Sequence, residues 1–115
     1  MDIQPINPGH VLVAPSRHAP SLADLKEEES ARMLNVAQRL ATALRNSGVK
    51  CEGVNLFLAD GEAAGQEVFH AHLHVFPRYE GDGFGLVFPP KYSHKPKRKE
   101  LDEVAAKIKT VLERE

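Results

Sequence analysis

The amino-acid sequence predicts an α+β domain, in which an antiparallel sheet carries one long packed helix and a C-terminal helix. Two observations favour this class: three short apolar runs have the character of strands, and two longer segments repeat apolar residues at helical spacing. In addition, the connection between the second and third runs, 59–66, is too short for a helix, which excludes a parallel βαβ unit. Because the 115 residues contain no linker and no internal repeat, we expect a single domain over 1–115.

The first strand and the long helix have recognisable boundaries. Residues 11–14 form a mainly β-branched apolar run flanked by prolines, as expected of a buried strand. A helix is predicted over 26–46, because acidic residues fill its first turn and Gly48 follows as a C-terminal cap. Its helically spaced apolar residues are Leu34, Ala37, Leu40, Ala41 and Leu44.

The second half of the chain adds two strands, a loop and a helix. Alternating apolar residues predict a strand over 53–59, and a further strand is predicted over 66–76, ended by Pro77. Glycine and proline are frequent in 77–97, which predicts a long and functionally relevant loop. The C-terminal helix is predicted from the amphipathic repeat of Leu101, Val104, Ala105, Ile108, Val111 and Leu112.

Composition and charge exclude several classes of protein. Hydrophobic residues make up 42% of the chain and charged residues 27%, as in a globular rather than a disordered protein. A net charge of −1 gives no electrostatic reason to expect nucleic acid or an anionic membrane as partner. Cys51 is the single cysteine, so no internal disulfide is expected. No secretory leader and no apolar run of ~20 residues is visible, so we expect a cytoplasmic protein.

The chemistry of the chain is concentrated in His70, His72 and His74. In a strand these alternate positions share one face, about 6.6 Å apart, with Ala71, Leu73 and Val75 on the other. Three interpretations of the cluster are open. The histidines are hydrogen-bonded structural residues, or neutral imidazole ligands of a metal such as zinc, or a nucleophile with its helpers for phosphoryl or nucleotidyl transfer.

The sequence around these histidines resembles a known family. Residues 70–76 read His-Ala-His-Leu-His-Val-Phe, similar to the His-x-His-x-His motif, followed by two apolar residues, of the histidine-triad (HIT) superfamily. Residues 7–18 resemble the family's first strand segment, and 53–56 with 61–66 resemble its run into the triad. Residues 77–84 resemble the stretch after the triad in bacterial members of the dinucleoside-polyphosphate-hydrolase-like branch. The resemblance covers nearly the whole chain and implies a HIT-like fold.

The resemblance also implies a role for each matching residue. His72 matches the nucleophile that attacks the α-phosphate and forms a nucleotidyl-histidine intermediate. His74 matches the residue beside the phosphate and the leaving group. The supporting residues implied are His10 and His70, which orient the nucleophile and fix its tautomer, Gln66 beside the phosphates, and Asp2 at the ribose hydroxyls. His18 and His94 receive no catalytic role.

The chain departs from the family pattern at a few positions. Family members normally have a further segment before the position of Met1, which supplies an edge strand and much of the base pocket, so the chain is N-terminally short. Asp2 is therefore expected to fray and to contribute little to binding. Ala59 replaces an Asn or Gln that contacts phosphate. Glu67 replaces a Ser or Thr, and we expect its side chain to point away while its backbone N–H contacts the substrate.

The function implied is hydrolysis or nucleotidyl transfer at the α-phosphate of dinucleoside polyphosphates or nucleoside phosphoramidates. The partners implied are a purine nucleotide and a second copy of the chain in a homodimer. No cofactor is required for the covalent step, and a divalent cation is compatible with a polyphosphate substrate. Two alternatives stay open, a nucleotide-binding module without turnover and a metal-dependent hydrolase that uses the histidines as ligands. Loss of activity with a chelator, restored by metal, would favour the last.

Overall fold

The fold was obtained as a computed structural model, which describes all residues, 1–115. These residues form two compact units, Met1–Phe84 and Gly85–Glu115. The first unit holds a three-stranded sheet and a long helix, and the second holds the C-terminal helix. This confirms the predicted α+β class, whereas the single domain over 1–115 stays a prediction. Neither helix has the length and apolar character that a membrane crossing requires.

The sheet consists of β1 (Val11–Val13), β2 (Gly53–Phe57) and β3 (Leu73–Arg78), in the spatial order β1-β3-β2. Both pairings are antiparallel, as predicted. The register places His74 of β3 opposite a residue of β1 on one side and opposite Phe57 of β2 on the other. The central strand therefore carries one histidine of the triad into the middle of the sheet.

The third strand differs from its predicted span of 66–76. It begins only at Leu73 and continues through Pro77 to Arg78. Beyond Val75 the strand has β2 as its only neighbour, so Pro77 lies where a missing N–H is tolerated. The segment before Leu73 leaves the ladder, since the amide of Ala71 donates to the carbonyl of Ala19 at 2.7 Å.

Helix α1 (Glu27–Asn46) covers one face of the sheet, close to its predicted bounds. Three glutamates occupy its first turn, where their negative charges interact favourably with the positive end of the helix dipole. Gly48 follows the C-cap residue with a φ of 87°.

The inner face of α1 buries Met33, Ala37 and Leu44, with Leu40 and Ala41 half-buried beside them. The expected position of Leu34 on this stripe is wrong: its side chain is 59% exposed, because the neighbouring Met33 faces the sheet instead. The core between helix and sheet consists of Val13, Met33, Ala37, Leu44 and Val75.

The remaining elements are short turns and the C-terminal helix. Two 3-10 turns are present: Leu22–Asp24 lies between β1 and α1, and Glu62–Ala64 lies between β2 and β3. Helix α2 (Arg98–Leu112) forms where the amphipathic repeat predicts it. Its apolar stripe is exposed and consists of Leu101, Val104, Ile108, Val111 and Leu112.

Candidate active site

A tight turn delivers His10 to the sheet. The amide of His10 donates to the carbonyl of Asn7 at 3.2 Å, and Gly9 has a φ of 103°. Proline second and glycine third are the residues that a type II turn favours. A Cβ at Gly9 would also lie 3.1 Å from side-chain atoms of Leu44 and Val49, so both the backbone conformation and the close neighbours favour glycine here. The turn holds His10 in an almost fully buried position, with 2% exposure.

The hydrogen bonds of His10 determine where its proton lies. The amide of Ile6 donates to Nδ1 of His10 at 3.1 Å, so Nδ1 is an acceptor and Nε2 carries the hydrogen. Nε2 lies 2.9 Å from Nδ1 of His74, which therefore accepts. The remaining nitrogen of His74, Nε2, consequently bears a hydrogen. Burial lowers the pKa of both His10 and His74, and the neighbouring His72 further lowers that of His74, so both rings are neutral near pH 7.

His72 has the opposite tautomer. Its Nδ1 lies 2.7 Å from the backbone carbonyl of His70, and because a carbonyl only accepts, Nδ1 must donate. In the neutral ring, the one that can act as a nucleophile, Nε2 therefore carries a lone pair and no hydrogen. The rings of His72 and His74 lie edge to face with centroids 4.9 Å apart. A bare nitrogen and an N–H donor thus occur on adjacent rings, which suits attack on an electrophile whose charge needs a donor.

The His70 side chain lies apart from the other two triad rings. Its Nε2 is 3.0 Å from the carbonyl of Pro15, and its ring stacks on His18 with centroids 5.6 Å apart. The prediction that three rings share one strand face is therefore wrong for His70, because residues 70 and 72 precede β3. His70 supports His72 through its main chain instead. His18, which received no role from the sequence, is thus the neighbour of His70 in the structure. The two residues are 52 positions apart, so no local motif indicates that they meet.

Asp2 is held in place rather than frayed, contrary to expectation. Its amide donates to the carbonyl of His10 at 2.9 Å, and its carboxylate accepts from the amide of Gln4. This backbone hydrogen bond is the main cause that lowers the pKa of Asp2. The second carboxylate oxygen lies 3.5 Å from Nε2 of His10 and 4.0 Å from Nδ1 of His74. The residue therefore adds a negative charge at the edge of the histidine site.

The three side chains Asp2, His10 and His74 are close enough to be considered as metal ligands, since their donor atoms lie within 4.8 Å of one another. The tautomers argue against that use. Nδ1 of His10 already accepts from the amide of Ile6, so a metal at Nε2 would leave the ring without a proton on either nitrogen. The geometry instead fits a hydrogen-bond chain from His10 to His74.

Gln66, which the resemblance implies beside the phosphates, has a side chain that is hydrogen-bonded within the protein. Its side-chain oxygen accepts from the amide of Gly61 at 2.8 Å, and its NH2 group donates to the carbonyls of Pro20 and Val68. Both N–H bonds are thus used within the protein, and the residue is buried. Gln66 joins the loops before β3, and none of its hydrogen bonds is to a histidine ring. The side chain of Glu67 is exposed, and the contact of its backbone N–H with the substrate stays a prediction.

Comparisons with known proteins agree with the resemblance. The HIT domain family model matches residues 1–81. An uncharacterized HIT-like protein of Borreliella burgdorferi is 44% identical over 88 residues, which cover 75% of this chain and 63% of that protein. The bis(5'-adenosyl)-triphosphatase of Dictyostelium discoideum is 37% identical over 82 residues, covering 71% of this chain and 54% of the enzyme. The chain thus spans less than two thirds of the length of both relatives.

Solved structures show the same fold. A HIT family protein from Bacillus anthracis matches with a TM-score of 0.85 and 35% identity, covering 96% of this chain and 78% of that one. A histidine triad nucleotide-binding protein from Candida albicans matches with a TM-score of 0.84 and 28% identity, covering 99% of this chain and 80% of that one. Because the family model covers well over half of the residues and the relatives agree with it, the chain belongs to the HIT family.

Proposed function

We propose that this chain cleaves nucleotides at the α-phosphate through a covalent intermediate on Nε2 of His72. The observation that carries this proposal is the hydrogen bond from Nδ1 of His72 to the carbonyl of His70, which leaves Nε2 unprotonated. A nucleophile of this kind needs no base to remove a proton before it attacks. The family relationship supports the same chemistry, since relatives include a triphosphatase of bis-adenosyl compounds and a nucleotide-binding protein.

The first step forms a bond from Nε2 of His72 to the α-phosphorus and breaks the bond from phosphorus to the leaving group. The leaving group departs with the bonding electron pair, and Nδ1–H of His72 keeps its hydrogen bond to the carbonyl of His70. The Nε2–H of His74 donates to an oxygen that gains charge in this step. Water then attacks phosphorus, the electron pair returns to Nε2 of His72, and the water proton passes to solvent.

The neutral state of His74 favours dinucleoside polyphosphates as the substrate class. A nucleoside phosphate leaves as an anion and needs hydrogen bonds rather than a proton. An amine that leaves from a nucleoside phosphoramidate requires a proton, and the burial that lowers the pKa of His74 makes a protonated ring scarce near pH 7. We therefore expect faster cleavage of diadenosine polyphosphates than of an adenosine phosphoramidate at neutral pH. A purine base, no cofactor for the covalent step and a cytoplasmic location stay predictions.

The test compares purified His72→Ala with His94→Ala on both substrate classes. His94 is an exposed histidine outside the histidine site, so the second variant controls for the loss of an imidazole. The proposal expects turnover to fall by several orders of magnitude in His72→Ala and to stay unchanged in His94→Ala. Near-normal turnover by His72→Ala would rule out the mechanism. Tight nucleotide binding with no turnover by the parent chain would favour a binding module instead.

A further inference from the structure

A buried carboxylate lies at the end of β3, outside the histidine site. The side chain of Asp82 is only 3% exposed. Arg78 binds it in a bidentate manner through one side of the guanidinium, with Nε 2.6 Å from Oδ2 and a terminal nitrogen 3.0 Å from Oδ1. The amides of Tyr79 and Phe84 also donate to it. These bonds hold the pKa of Asp82 far below its usual range, so the group is a permanent anion near neutral pH.

Asn7 connects this carboxylate to the turn that carries His10. Its NH2 group donates to Oδ2 of Asp82 and to the carbonyl of Pro77, both at 2.9 Å. Both N–H bonds are therefore used, and the residue is buried at 4% exposure. We call Asn7, Arg78 and Asp82 the Asp82 cluster. Since Asn7 is 70 positions from Pro77 in sequence, the cluster ties two distant segments together beside the sheet.

The turn transmits the position of Asn7 to His10. Asn7 is its first residue and His10 its fourth, closed by the 3.2 Å hydrogen bond between them. Resting on the function proposed above, we propose that Asn7 and Asp82 are positioning residues, which act through His10 to hold Nε2–H of His74 toward the substrate. Neither side chain is hydrogen-bonded to a triad ring. Their effect passes through the 2.9 Å bond between Nε2 of His10 and Nδ1 of His74.

The direction of that bond explains why a rigid turn is needed. While Nδ1 of His74 accepts from His10, the ring is held in the single tautomer that presents Nε2–H, because a neutral ring carries one hydrogen. If the turn moved and this bond opened, the hydrogen of His74 would be free to move to Nδ1, and Nε2 would face the substrate as a lone pair. Such a ring would repel the phosphate oxygens that it is meant to stabilise. Even a shift of about 1 Å in a positioned group can cost on the order of 100-fold in rate.

The experiment compares Asn7→Ala and Asp82→Asn with Asp102→Asn. Asp102 forms an exposed i, i+4 ion pair with Arg98, so this control makes the same chemical change where nothing is positioned. Nitrogen-15 NMR of the imidazole rings reports which nitrogen of His74 carries the hydrogen, and steady-state kinetics separate kcat from KM. Thermal melts identify variants that remain folded.

We expect folded Asn7→Ala and Asp82→Asn to contain His74 as a mixture of tautomers. We also expect their kcat to fall roughly 10- to 100-fold with little change in KM, while Asp102→Asn matches the parent. Parent-like His74 tautomers and kcat in either folded variant would overturn the proposal. If both variants fail to fold, the cluster holds the fold and the positioning role is rejected. If the parent proves inactive, the proposed function fails, and the NMR comparison still decides this inference.

Discussion

At the scale of single residues, the behaviour of the site depends on which nitrogen of each ring holds its hydrogen. Main-chain groups decide this at two rings: the amide of Ile6 for His10, and the carbonyl of His70 for His72. The tautomer of His74 then follows from that of His10. Backbone groups cannot change their role as donor or acceptor, so this arrangement is stable in a way that side-chain partners alone would not ensure.

His10 provides a direct test of this chain of tautomers. Replacing His10 with Phe removes the Nε2–H that His74 accepts and keeps a ring of similar shape. We expect kcat to fall roughly 10- to 100-fold with KM little changed, since the loss concerns stabilisation in the transition state. Steady-state kinetics on a diadenosine polyphosphate measures this. A variant in which only KM changes would show that His10 serves substrate binding instead.

The neutral rings also predict how stability depends on pH. Burial lowers the pKa of His10 and His74 from the ordinary value of 6.5, so the unfolded chain binds more protons than the folded chain as acid is added. The free energy of unfolding should therefore fall as pH drops through 6.5, and this contribution should level off below the lowered folded pKa values. Urea unfolding between neutral pH and about pH 5 measures the slope. Stability that is flat or rises toward acid would contradict the neutral assignment.

At the scale of elements, the turn at Gly9 and the loops joined by Gln66 each depend on one residue, and replacing that residue should lower the free energy of unfolding measurably. The turn at Gly9 combines a positive φ with close neighbours, whereas Gly81 has a positive φ and open space around it. We expect Gly9→Ala to destabilise the protein by about 2–4 kcal/mol and Gly81→Ala by about 1 kcal/mol. Denaturant unfolding of the two variants separates backbone strain from crowding. Equal effects would show that the crowding at Gly9 is relieved by small shifts.

Gln66 gives a second prediction at this scale. Gln66→Leu removes hydrogen bonds to the backbone groups of Gly61, Pro20 and Val68, at a buried position. We expect a loss of roughly 2–4 kcal/mol, since buried backbone groups would lose their partners. Denaturant unfolding measures this loss. A variant of parental stability but with strongly raised KM would instead support the phosphate contact that the family resemblance implies.

Local patterns predict most of the elements but not the start of β3. Both helices follow repeats of apolar residues at helical spacing; the apolar stripe of α1 is buried and that of α2 is exposed. This spacing is sufficient to predict both helices. The span before Leu73 also alternates, but its buried polar groups find partners in distant loops, as Gln66 does with Pro20. Such tertiary hydrogen bonds leave no periodic signal. The same applies to the Asp82 cluster and to the pairing of His18 with His70, which are contacts between residues far apart in sequence.

The candidate site was predictable where its residues lie in one motif. His72 and His74 are adjacent in the structure, as the triad motif indicates. His10, which lies directly before β1, contacts His74. The side chain of His70 was misplaced, because an extended segment need not remain a strand. The tautomers depend on main-chain partners, which no residue pattern encodes.

At the scale of the whole molecule, the assembly is open to a direct experiment. Strand β1 has a neighbour on one side only, and an open edge invites pairing with another chain. We expect a homodimer, as the family resemblance implies. Light scattering at several concentrations should give twice the mass of 12.7 kDa. A monomer at high concentration would contradict this expectation.

The covalent intermediate on His72 is the central claim, and trapping it is the most direct measurement. The protein is mixed with a diadenosine polyphosphate, quenched with base at short times, and digested for mass spectrometry, because phosphorus–nitrogen bonds to histidine survive base better than acid. The account predicts an adenylyl group on the peptide that contains His72, appearing before free AMP and disappearing as substrate is exhausted. Turnover at full rate without modified His72, or with the group on another residue, would contradict it.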